Sequence, residues 1–172
     1  ELVLGPNIAD WPKLHRMPDN LLIRLCSVIR DKVTTTDELI PSGETSTLRS
    51  NPYKLSEYAL SRKDPAYVGR SKAARAQQEL LDGGKKLDAQ YIKAAEELGA
   101  VIDSNLGIGS AIYANMPGDG SAREQAASCQ KVLGGWANIA LDYATKRYRS
   151  NLINWGMAPF TVSIEDAELF EP

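Results

Sequence analysis

At 172 residues the chain is long enough for one domain with a sizeable core and too short for two large ones. Its 43% hydrophobic and 24% charged residues, with 13 Gly and 9 Pro, exclude disordered, collagen-like and coiled-coil chains. The 20 Lys+Arg balance 22 Asp+Glu, and the longest apolar run, Leu21 to Ile29, is broken by Arg24, so neither nucleic acid nor membrane is an expected partner.

Residues 1 to 20 hold Pro6, Pro12 and Pro18 around Trp11 and Met17, which predicts an extended lead-in laid over a neighbouring element rather than a helix. Leu21 to Ile29 is short and rich in branched apolar side chains, the pattern of a buried strand. Thr34 to Pro52 is dense in Ser, Thr, Gly and Pro and longer than an ordinary connection, as functional loops are. Two helices are expected over Lys54 to Arg62 and Ala66 to Leu81, separated by Asp64-Pro65, with Gly83-Gly84 stopping the second. Leu87, Tyr91, Ala94, Ala95 and Leu98 have the spacing of a one-faced helix that Gly99 would cap.

Ala100 to Asn115 reads as one or two core strands with a bend at Gly107 and Gly109, and PGDGS follows as a glycine turn. Ala122, Ala126, Cys129 and Leu133 share a helical face, and WANIALDYA after Gly134-Gly135 reads as a further strand. A short basic helix over Lys146 to Trp155 and a last strand or extended exit through APFTVSIED complete an α/β order. Cys26 and Cys129 lack the paired spacing of a zinc or redox site and read as free, buried thiols. Glu1 opens the sequence without the marks of a signal peptide, and the chain is expected to be a piece of a longer, cytoplasmic protein.

The segment Gly118 to Ala127, GDGSAREQAA, joins a two-glycine turn to a helix that begins with a hydroxyl and an arginine. Glycines let main-chain N–H groups approach a ligand, and the helix start offers further N–H groups and about half a positive charge to an anion. Arg123 would add a two-pronged contact for a carboxylate. A structural reading stands beside this one, because Ser121 to Glu124 also matches the S-x-x-E capping box, in which the serine caps its own helix. GDGSAR lacks the third glycine of a dinucleotide fingerprint, GGKK lacks the rest of a P-loop, and a chain with the single histidine His15 offers no hydrolase triad.

GDGSAREQAASCQKVLGG resembles the GEGSSREHAA segment of aconitases and their relatives. YATKRYRSNLINWGMAPF resembles the family's downstream block, and VTTTDELIPSGETSTLR its TTDHIS stretch, with Arg49 six residues past Gly43. The resemblance covers most of residues 31 to 160, residues 66 to 98 reading as a helical insertion. It implies an aconitase-type swivelling domain, a small mixed or barrel-like sheet flanked by helices, spanning 1 to 172 within a longer iron–sulfur hydro-lyase. It further implies that Ser121 is the base that removes a substrate proton, that Arg49, Ala122 and Arg123 bind the substrate, and that Asp37 supports the site or organises its loop. The [4Fe-4S] cluster would be carried by cluster-bearing domains or a separate subunit, with no metal held here, and the substrate would be a di- or tricarboxylic acid.

The chain departs from the family pattern at Ala122, where a second serine is usual, and at Gln125, Glu38, Lys146 and Tyr148. These departures keep a second expectation open, a non-catalytic carboxylate-binding or interaction module on the same fold.

Overall fold

Parallel strands need a crossover long enough to carry the chain back, and the helical patterns between the strand patterns of this sequence supply one each time. The computed structural model describes residues 1–172. In chain order its elements are β1 (Asn20–Ile29), β2 (Thr34–Thr35), α1 (Thr36–Leu39), α2 (Pro52–Ser56), α3 (Tyr67–Asp82), α4 (Ala89–Glu97) and β3 (Leu106–Ala114). There follow β4 (Pro117–Asp119), α5 (Arg123–Val132), β5 (Gly135–Ala140), α6 (Lys146–Asn154), β6 (Ala158–Thr161) and α7 (Ile164–Glu168). The molecule is thus α/β, with one four-stranded sheet in the order β1-β3-β5-β6 and a small β2-β4 ladder beside it.

The expected mixed or barrel-like sheet is corrected by this topology. Every pairing is parallel, and β1 and β6 are open edges. The physical cause is that no hairpin joins sheet neighbours: α1 to α4 lie between β1 and β3, α5 between β3 and β5, and α6 between β5 and β6. Residues 66 to 98 lie within the crossover between the first two sheet strands, and α3 gives Tyr67 and Ala74 to the main core.

All nine residues of β3 are buried, as a central parallel strand requires. Toward the helices it presents Ile108, Ser110, Ile112 and Ala114; Ser110 shares a 2.6 Å hydrogen bond with Ser71 of α3, and the Ile108 N–H donates to Gln78 at 2.6 Å. Gly107 and Gly109 lie inside this strand and not at a bend. A Cβ on Gly107 would come within 2.6 Å of Pro18, and one on Gly109 would strike the Gly134 carbonyl oxygen and the Trp136 ring. Close approach, not a turn, accounts for both glycines.

Residues 1 to 19 of the lead-in contain no helix or strand, Asn20 opening β1, and Trp11 packs on Trp155 with ring centroids 4.7 Å apart and planes tilted by 37°. The helix expected over Lys54 to Arg62 is cut to the five residues of α2. Leu60 takes a positive φ of 56° to place its side chain wholly in the core and its N–H on the Leu39 carbonyl at 3.0 Å. At the other end the exit divides into β6 and α7, where Ser163 accepts the Asp166 N–H at 3.1 Å as an N-cap. No helix is long and apolar enough to cross a membrane.

Candidate functional site

The β2-β4 ladder brings the threonine-rich loop against the glycine turn. Thr34 pairs with Pro117 and Thr35 with Asp119, and Thr36 packs so closely under Gly120 that a Cβ there would meet its hydroxyl. Gly118 and Gly120 have φ of 99° and 133°, values that a side chain would strain. Beneath Gly118 lies the Tyr148 ring, again without room for a Cβ, and Thr145 donates to the Gly118 carbonyl oxygen at 3.1 Å.

The support under this turn is a closed polar ring. The Tyr148 hydroxyl donates to Asn138 Oδ1 at 2.6 Å, Asn138 Nδ2 to Gln130 Oε1 at 2.7 Å, and Gln130 Nε2 to the Tyr148 hydroxyl at 3.0 Å. All three side chains are buried, and burial drives the Tyr148 phenol far above its ordinary pKa. Nothing in the residue pattern announces this ring; three polar residues on α5, β5 and α6 become one unit only in the fold.

At the top of the turn the polar groups are open. Helix α5 begins one residue later than the capping reading requires: its N-cap is Ala122, with φ −82° and ψ 42°, and no side chain caps it. Ser121 is exposed and makes no side-chain hydrogen bond, so the S-x-x-E capping box is corrected here. The first N–H groups of a helix lack intrahelical partners, and with alanine at the cap no side chain accepts from them. Arg123 is half-buried in the first turn, with its Nε out of solvent and without an acceptor. Neither Arg123 nor Arg49 forms an ion pair.

Arg49 is exposed and shares with Glu124, Gln125 and Trp11 a cleft of about 160 Å³ beside the start of α5; Ser121 and Arg123 do not line it. Asp37, in α1, is bound by the Arg62 guanidinium, which also donates to Glu44 at 2.6 Å. The aspartate therefore ties its own loop together, and α1 packs on both β4 and α5. Of the departures, Glu38 closes a capping box with Thr35 and is bridged to Asp31 through Lys63, Tyr148 carries the Gly118 turn, and Ala122 packs against the main core.

The chain's own residues do not fit an iron–sulfur cluster. Cys26 and Cys129 sit on β1 and α5 inside the core, where burial pushes their thiols up to about 11 and about 12, away from the thiolate that such ligation needs. No group of three or more His, Cys, Asp and Glu side chains converges on a metal site. Compared with known proteins, the chain matches no family model and no curated sequence.

Proposed function

We propose that this α/β chain is the swivelling domain of an aconitase-like hydro-lyase that dehydrates and rehydrates a di- or tricarboxylic acid, with Ser121 as its base. The observation that carries the reading is Ser121 itself: a hydroxyl held out by two positive-φ glycines, at the uncapped start of α5, and spared from capping duty. Arg123 beside it and Arg49 on the neighbouring surface are cations without carboxylate partners, suited to the acid groups of the substrate. Asp37 supports the site through the Arg62 pair that shapes its loop.

In this reading the Ser121 alkoxide takes a proton from the carbon beside a substrate carboxylate while the hydroxyl on the adjacent carbon leaves as the C=C bond forms. The cluster-bearing remainder of the enzyme would receive that hydroxyl, and rehydration reverses both transfers. The helix start lowers the cost of the alkoxide by up to ~2 kcal/mol, about 1.5 pKa units. Arg123 lowers it further, and the remainder comes from closing the exposed turn against a cluster-bearing domain or subunit that excludes water. The cluster belongs to that remainder of the enzyme, and the isolated chain is expected to be inactive.

The test is Ser121→Ala in the intact enzyme, assayed for dehydration of hydroxy di- and tricarboxylic acids. A fall of about a thousandfold in kcat with unchanged folding supports the role, and activity near wild type removes it. Arg49→Lys should raise KM, since an ammonium cannot copy a two-pronged guanidinium contact. Retained binding of such acids by calorimetry, with no turnover in any assembled form, would instead favour the non-catalytic module, to which Ala122 and Gln125 lend support.

A further inference from the structure

Lys131 is the only Lys or Arg of the molecule that folding buries, at 5% exposure. Its Nζ lies 3.5 Å from the centre of the Trp136 ring and donates to the Gly156 carbonyl oxygen at 3.3 Å. It forms no ion pair, so two of its three N–H donors have no protein acceptor. Desolvation without a compensating acid holds its pKa down to about 8, and an amine that is partly neutral near physiological pH is a nucleophile.

Lys131 and Trp136 line a cleft of about 240 Å³ between α3, the lead-in and the C-terminal end of α5. The cleft's other ionisable side chains are Arg75 and Glu79 from α3, Lys13 and His15 from the lead-in, and the Tyr53 phenol of α2. Arg75 donates to the Val132 carbonyl oxygen at 2.8 Å and lies 3.5 Å from Glu79, while His15 faces Asp82 at 3.3 Å. Cations thus outnumber acids around an apolar wall, an environment suited to a small molecule with an anionic end.

We infer that this cleft is a second site, at which the Lys131 amine condenses with the carbonyl carbon of a small 2-oxo or aldehydic acid while the cationic rim receives the carboxylate. The nitrogen lone pair forms the C–N bond, the carbonyl oxygen leaves as water, and the product is an imine on Lys131. The inference does not rest on the hydro-lyase reading, and failure of the Ser121 test leaves it standing.

The experiment treats the full-length protein with glyoxylate and cyanoborohydride, which reduces the imine to a stable secondary amine, and maps the modified lysines by peptide mass spectrometry. An amine titrating near 8 holds, at neutral pH, on the order of a hundredfold more neutral form than an ordinary lysine, and confinement reduces that advantage. Lys131 is expected to react about tenfold faster than any exposed lysine, with a rate that rises through about pH 8. Arg75→Gln should slow labelling by glyoxylate and leave labelling by acetaldehyde unchanged. Labelling of Lys131 no faster than the exposed lysines would overturn the site, and equal slowing with both aldehydes would overturn the role of the rim. Both readings are made on proteins that retain Lys131, so they do not depend on a variant at that position folding.

Discussion

Two segments of this chain carry the same four-residue signature and fold differently. Thr35 to Glu38 forms a complete capping box: the Thr35 hydroxyl accepts the Glu38 N–H at 3.2 Å, and the Glu38 carboxylate accepts the Thr35 N–H at 2.8 Å. Ser121 to Glu124 has the same spacing, yet no capping bond forms, and the helix starts after Ala122. The difference lies in what precedes each. Thr35 enters its helix from extended backbone in the β2-β4 ladder, at φ −75° and ψ 159°, as an N-cap requires. Ser121 follows two glycines fixed in left-handed backbone by Tyr148 below and Thr36 beside them, so the hydroxyl leaves the helix axis. One box closes upon itself; the other leaves its hydroxyl unpaired and its helix uncapped.

The largest expected effect tests the cause of that difference. Gly118→Ala places a methyl in the Tyr148 ring at a φ unfavourable to alanine and should cost about 3 kcal/mol or more in urea denaturation. A neutral result would mean that the ring under the turn does not fix its shape. Thr35→Ala should cost about 1 kcal/mol, the usual loss for a true cap.

Acid sharpens the contrast further. Burial raises the Glu38 carboxyl, but the Thr35 N–H, Lys63 and the Thr35 hydroxyl outweigh it, leaving the native pKa below 4.5. A carboxylate depressed by folding contributes stability above its unfolded pKa and loses it as pH falls through the native value. The cost of Thr35→Ala should therefore shrink as denaturation is repeated below about pH 4.5. The smallest effect is the most telling. Ser121→Ala should alter stability by no more than about 0.5 kcal/mol at any pH, and a loss near that of Thr35→Ala would return Ser121 to capping.

Much of the scaffold was legible in the residue pattern. The strand ending at Ile29 followed from its branched apolar run, α3 from helix-favouring composition, α4 and α5 from apolar spacing, α6 as a short basic stretch, and the next strand from its place after Gly134-Gly135. Three features did not, each for a physical reason. Glycine in a strand looks like glycine in a bend until the atoms that crowd it are known, and for Gly107 and Gly109 those atoms belong to Pro18, Gly134 and Trp136. The helix expected to run to Arg62 does not reach it, because Leu60 takes a left-handed backbone to fill a core position and to reach the Leu39 carbonyl, against local helix preference. For α7 a signal existed, the Ser163 to Asp166 cap spacing, which the extended reading passed over.

At the candidate site the glycine turn and the helix that follows it were readable from the residues. The absence of a serine cap was not, because spacing alone cannot report the direction from which a chain enters a helix. Lys131 left only a faint trace, one lysine among the apolar and small residues of the buried side of α5.

The open sheet also bears on how the chain is made. β1 has a single sheet neighbour, β3, and all of α1 to α4 is synthesised between the two. A nascent chain emerging from the ribosome therefore carries an apolar strand with no partner until much of the polypeptide has been translated. Long-range pairing of this kind slows folding and exposes the waiting segment to misassociation, so yield from rapid expression should depend on chaperones that shield residues 20 to 29 until β3 arrives.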